Sequence, residues 1–260
     1  MKKNSAFFLL SVMFIYSGCD TIPENNRQID LETNKGTVVK KVLLLDFTDQ
    51  ACPNCPEAGA EVAMLKEIYG DTLVAVTIHS SPRVPKLSLV TEEGNVYNDH
   101  FGAMQHPAGV IDGKFSQVYE QWAGVVLEQF KNSPSLDISL SAGYNSDSRE
   151  INVITQLKGL QEISNAKLLL WIIEDNVINK QLVGSTVNNN YLHRHIFRSA
   201  INGVWGELVA LATDEKTEKT TNYILNENWK PENISIVGFV YNVDSDKVLG
   251  VTEIHLLNNH

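Results

Sequence analysis

The sequence predicts an α/β domain followed by an all-β sandwich, and three observations carry that prediction. An apolar run over 38–47, a helical pattern over 56–69 and a second apolar run over 72–78 give the order of a β-α-β unit. Two cysteines, Cys52 and Cys55, sit at the first strand-to-helix turn of that unit. Beyond Pro134 the pattern changes to short alternating segments parted by turn residues, as in an antiparallel sandwich.

The first strand, over 38–47, is continuously apolar in its centre, Val42-Leu43-Leu44-Leu45, as expected of a strand buried on both faces. In the helix that follows, Ala58, Val62, Leu65, Ile68 and Tyr69 recur at helical spacing and predict the inward face, and Gly70 stops it. Thr72–Ile78 reads as the second strand. A short helix is predicted from Thr91 to about Phe101, a short strand at 107–111 ended by Asp112-Gly113, and a last amphipathic helix through Phe115, Val118, Tyr119, Trp122, Val126 and Phe130. Leu136, Ile138, Leu140 and Ala142 then alternate with polar residues, and the alternation resumes at Ile151-Asn152-Val153. Further strands are predicted at 166–174, around 191–199, and at 220–225, 234–243 and 248–257. Trp122, Trp171 and Trp205 are read as core.

With 31 acidic against 21 basic side chains and a net charge of −10, the 260-residue chain lacks the basic patch that phosphate binding requires, which excludes nucleic acid as a partner. At its start, Lys2 and Lys3 precede an apolar run over 6–16, too short to span a bilayer and proportioned as a secretory signal. The run ends in Tyr16-Ser17-Gly18-Cys19, which resembles the lipobox of bacterial lipoproteins; that resemblance implies cleavage after 18 and an acylated Cys19 anchoring the chain to a membrane. Residues 20–36 are polar and aperiodic and read as a tether reaching roughly 20–25 Å.

The cysteine pair admits three chemistries. A thiol at a strand-to-helix turn lies where the helix dipole favours the thiolate, which makes Cys52 the candidate nucleophile and Cys55 a resolving thiol. A zinc site would need two further ligands; His79 or His106 could offer imidazoles, but no second local pair supports it. A closed staple is the third, since secreted cysteines usually pair for stability. His193 and His195 would share one face of a strand, and hydrogen-bonded packing accounts for them more simply than a metal pair. No cofactor and no metal is predicted.

Leu43-Leu44-Leu45-Asp46-Phe47 ahead of Cys52, together with His106-Pro107-Ala108-Gly109-Val110-Ile111-Asp112-Gly113, resembles the thioredoxin superfamily. That resemblance implies that Asp46 is a buried proton acceptor near Cys55 and that Pro107 is a cis-proline facing the thiols, with His106 beside the reactive sulfur. Two features depart from it. Ala51 stands where thioredoxins proper carry Trp, and almost nothing between Gly113 and Phe115 can supply a last edge strand. More narrowly, Leu44-Leu45-Asp46-Phe47-Thr48, Cys52-Pro53-Asn54-Cys55-Pro56-Glu57-Ala58, His193-Arg194-His195-Ile196-Phe197-Arg198 and Gly203-Val204-Trp205-Gly206-Glu207 resemble the twenty-eight-kilodalton outer membrane protein family of Bacteroidetes lipoproteins.

The resemblance implies a thioredoxin-like domain over 37–133 and an immunoglobulin-like β-sandwich over 134–260, behind a signal over 1–18 and a tether over 19–36. The implied protein is an outer-membrane lipoprotein, periplasmic or cell-surface facing. Two functions compete: thiol–disulfide exchange with protein thiol or disulfide partners, and a non-catalytic binding or adhesion surface in which Cys52–Cys55 is structural.

Overall fold

The computed structural model describes residues 38–81 and 89–257. The predicted signal, Cys19 and the tether lie outside them. Fourteen strands and three α-helices are found among the described residues. Strand β1 (Val42–Thr48) is buried at every position, and helix α1 (Cys55–Tyr69) crosses over to β2 (Leu73–His79), which pairs with β1 in parallel from Val42↔Leu73 to Thr48↔His79. Helix α2 (Glu92–His100) is capped by Thr91, whose Oγ1 accepts from the Gly94 amide at 2.9 Å. Strand β3 (Ala108–Ile111) then runs antiparallel to β1, with β4 (Lys114–Ser116) beside it and α3 (Trp122–Phe130) following. Almost nothing near Gly113 was expected to supply an edge strand, yet the three residues Lys114–Ser116 suffice for β4.

The second half contributes β5 (Leu136–Asn145), β6 (Glu150–Gly159), β7 (Ile163–Glu174), β8 (Val177–Val183), β9 (Thr186–His193), β10 (Ile196–Ala200), β11 (Glu207–Leu211), β12 (Lys216–Ile224), β13 (Ile234–Asn242) and β14 (Val248–His255). The sequence reading missed β8 and β11. Neither has the apolar core of the other strands, since β8 alternates exposed and half-buried positions and β11 is exposed at three of five.

The expected fold class, a thioredoxin-like α/β domain followed by a separate immunoglobulin-like sandwich, is not what the chain forms. The molecule is mostly β, and its largest element is one nine-stranded mixed sheet in the order β14-β13-β7-β10-β2-β1-β3-β4, with β11 also on β7. Strand β10 is seated on β2, Ile196 opposite Thr77, with the Thr77 amide donating to the His195 carbonyl at 2.7 Å. That seam closes an edge of β2 that would otherwise leave donors and acceptors unpaired. The sheet also curls back on itself: the Val248 amide donates to the Asp112 carbonyl at 3.4 Å, and Lys41 Nζ to Thr252 Oγ1 at 3.2 Å.

The curl encloses a core drawn from both halves, in which Leu45, Phe47 and Val76 share contacts with Trp171, Phe197 and Phe239. Because a strand's successive side chains face opposite ways, the alternate residues Val42, Leu44 and Ala75 pack under α1 and α3. Likewise Leu168, Leu170 and Ile236 pack against the three-stranded sheet β12-β6-β5, which gives the second half its sandwich-like layering. Residues from Val38 onward cluster as one compact unit. The burial expected of two helix and core positions also fails: Ile68 lies 63 % exposed on α1, and Trp205 is 36 % exposed, its ring against His100 and Tyr97.

Candidate functional site

The site assembles where β1 and β2 end and α1 begins. The helix starts at Cys55, so Pro53 lies ahead of the Asn54 cap rather than inside the first turn, and Pro56 falls at the second helical position. The amide that Pro56 lacks is one of the four that no helix bonds internally, so the residue fits without loss. Cys52 and Cys55 are joined in a disulfide with their Cα atoms 5.5 Å apart. The two sulfurs are unequal in setting: Cys55 is buried, whereas Cys52 is half-buried on the wall of an open groove shared with Asp49, Pro53, Met104 and His106.

The cysteine loop is gripped from the side by the two-stranded β8–β9 ribbon. The Leu182 amide donates to the Gln50 carbonyl at 2.8 Å and the Gly184 amide to the Pro53 carbonyl at 3.1 Å. Gln181, buried, sends its Nε2 to the Asp49 and Cys52 carbonyls at 3.1 and 3.0 Å. In return Gln50 Nε2 donates to the Lys180 carbonyl at 2.8 Å. The chain thereby holds a loop that has few apolar anchors of its own.

Behind the disulfide, Asp46 is buried, and its Oδ1 has no hydrogen-bond partner. Loss of hydration penalises the charged carboxylate and pushes its pKa up to about 7. Asp46 lines a cavity of about 80 Å³ together with Cys55, Thr77, His79, Tyr191 and His193. His79 and His193 are buried edge to face with ring centroids 5.2 Å apart, and burial lowers the pKa of each. Neither ring nitrogen of His79 has a partner, nor has Nε2 of His193.

The other predicted residues divide. The His106–Pro107 peptide bond is cis, and the Pro107 carbonyl accepts from Gln117 Nε2 at 2.7 Å. The His106 ring turns its Nε2 toward Asn98 Oδ1 and Ser80 Oγ, at 2.9 and 3.1 Å, while the residue lines the groove beside Cys52. His193 and His195 do not share a strand face. His193 ends β9, while His195 turns at φ 54° between β9 and β10 and sets its Nδ1 3.2 Å from Asp175 Oδ1. Among the described residues no cluster of three or more His, Cys, Asp or Glu could hold a metal ion, and no helix is long and apolar enough to cross a membrane.

Sequence reasoning missed Gln181 and Tyr191 as site residues, weighed His79 only as a zinc ligand, and read His193 as hydrogen-bonded packing rather than half of a metal pair. A usable signal existed for His79, since it closes an otherwise apolar strand in register with Thr48, two residues beyond Asp46.

Comparison with known proteins places this chain in a family. Among curated protein sequences none matches. HBP35 of Porphyromonas gingivalis has a similar fold, with a TM-score of 0.69 at 14 % identity over 85 % of this chain and 77 % of that one. A domain of the outer membrane lipoprotein Omp28 from Porphyromonas gingivalis aligns at 22 % identity over 47 % of this chain and 88 % of that one, with a TM-score of 0.35. The sequence profile of the outer membrane protein Omp28 family matches residues 94–260, well over half of the chain, and with it goes the outer-membrane location expected from the sequence. The chain belongs to the outer membrane protein Omp28 family.

Proposed function

We propose that the protein performs thiol–disulfide exchange on other proteins at the outer membrane, held there by a lipid on Cys19. The observation that carries the reading is the asymmetry of the disulfide, with Cys52 open to a groove and Cys55 buried against the cavity of Asp46. In the reduced protein Cys52 attacks a partner's disulfide, and Cys55 resolves the mixed disulfide after passing its proton to Asp46. A carboxyl with a pKa of about 7 suits that transfer near neutral pH. His106 lines the groove beside Cys52, and a protonated His106 would favour the Cys52 thiolate.

The test is capture of partners. Cys55→Ser should leave partners joined to Cys52 in intact cells, and the Cys52–Cys55 pair should have a reduction potential above about −300 mV. No captured partner and a potential below that value would favour a second reading, in which the pair is a staple and the protein is a binding surface. The ribbon bonded to the cysteine loop supports that alternative, because it already fills one flank of the disulfide. Cys19→Ser should release the folded protein from membranes; continued membrane association of that variant would remove the anchor from the proposal.

A further inference from the structure

The cavity behind the disulfide holds more polar chemistry than a resolving thiol and one acid require. Asp46 Oδ1, both nitrogens of His79 and Nε2 of His193 are all buried and unpartnered, and all three residues line the same space of about 80 Å³. A buried polar group left without a partner forfeits its hydration, so a purely structural core would be expected to hold apolar side chains there. A space of this volume, with Asp46, His79 and His193 on its wall, has room for water to connect the groups. It also reaches Arg194 and Tyr191 at its rim, both on or beside β9 and both less than fully buried.

We propose that His79 and His193 relay the Asp46 proton to solvent while Cys55 resolves the mixed disulfide, an inference that rests on the exchange reading above. The Cys52 thiolate attacks a disulfide, forming one S–S bond and expelling one thiolate. The Cys55 thiol gives its proton to the Asp46 carboxylate, attacks the Cys52 sulfur, and expels the second thiolate as the Cys52–Cys55 bond closes. The pair is oxidised by two electrons and the disulfide reagent is reduced by two. Asp46 is left protonated, and it releases that proton by way of His79 and His193 to water at the cavity mouth.

An imidazole suits this task because a neutral ring accepts a proton at one nitrogen and yields one from the other. Burial disfavours the charged form of both rings; His193, Arg198 of β10 and His106 add to it at His79, and at His193 Arg198 adds to it while hydrogen bonds to the Lys180 and Asn179 backbone oppose it. Asp46 has Cys55 of α1 and Tyr191 of β9 on its cavity side, neither of them positively charged. Arg194 and His195 complete the titratable lining.

The experiment uses the full-length reduced protein carrying Cys19→Ser, so that only two thiols react, with dithiobis(nitrobenzoate) as the disulfide. The first release of thionitrobenzoate reports attack by Cys52, and the second reports resolution by Cys55. His79→Gln and His193→Gln should leave the first release unchanged and slow the second roughly ten- to a hundredfold below pH 7, where Asp46 starts protonated and must pass its proton out through the rings before it can take that of Cys55, while at pH 8 the second release should stay near the parent rate. In His193→Ala, added imidazole should restore the second release. Equal second-release rates in the parent and both glutamine variants would overturn the relay and leave exchange standing. A parent protein that never gives the second release would overturn both. An unchanged first release shows in every variant that the loop remains folded.

Discussion

Two buried aspartates mark the opposite ends of β1, and the protein treats them differently. Asp112, at φ 49° after β3, accepts the Leu43 amide at 2.8 Å and pairs with Lys40 Nζ at 2.5 Å. Asp46, at the other end, has an oxygen with no partner. Burial raises the pKa of both, but at Asp112 the Lys40 charge and two hydrogen bonds oppose that rise, and at Asp46 nothing does. Burial of acid is common to structural and reactive positions, whereas burial without a partner singles out the end of the strand that faces the cysteines.

The largest expected effect separates the two acids by pH. The folded pKa of Asp46, about 7, lies above the unfolded value of about 3.9. The protonated form therefore favours folding, and that advantage is complete below about pH 4 and lost as pH rises through 7. Asp46→Asn should raise stability at pH 8 by on the order of 4 kcal/mol and by almost nothing at pH 4, as read from urea unfolding at both values. An equal change at the two pH values would contradict the unpaired burial of Asp46.

Asp112→Asn should act in the opposite direction. It leaves Lys40 without its partner and should lower stability by about 3 kcal/mol at neutral pH. Asn tolerates positive φ and keeps an oxygen for the Leu43 amide, so the loss is that of the ion pair rather than of the turn. A neutral outcome would show that Lys40 finds water instead.

Smaller effects test the surroundings. Gln181→Ala removes the side chain that spans the Asp49 and Cys52 carbonyls and should cost about 1–2 kcal/mol. It should also speed hydrogen exchange at the Leu182 and Gly184 amides, which bond the same loop. Unchanged exchange there would mean that the ribbon holds the loop through its backbone alone. The smallest change is expected at a satisfied polar group away from the cavity: Thr91→Ala, which deletes the α2 cap, should lower stability by about 1 kcal/mol at every pH, measured in the same titrations.

Much of the local structure was legible in the sequence. Helical spacing from Ala58 to Leu65 marked α1, the short helix expected from Thr91 is α2, and apolar runs marked β1 and β2, because period is a property of a short segment. The same local signal misled at Ile68, whose place in the apolar period could not reveal that no element covers it, and it was silent at β8, where half-exposed positions carry no strong alternation. At the candidate site, Asp46, Cys52, Cys55, His106 and Pro107 were found through motif and resemblance. Gln181 and Tyr191 come from a ribbon more than a hundred residues away, and their side chains say nothing about which loop they will meet.

By itself, then, the sequence determined the cysteine pair at a strand-to-helix turn, the order of most strands and helices, the acidic surface and the membership in an outer membrane protein family. Only the tertiary structure decided that the strands of both halves share one sheet and that the space behind Cys55 is walled by His79, Tyr191 and His193. The reason is physical. Strand period and helix capping depend on neighbours a few residues away, but the Ile196–Thr77 seam depends on which unpaired edge is nearest when the chain collapses. An edge of bare amides and carbonyls is the same whatever its side chains, so its choice of partner is written in the packing of Trp171, Phe197 and Phe239 against Phe47 and Val76 rather than in any single stretch of sequence.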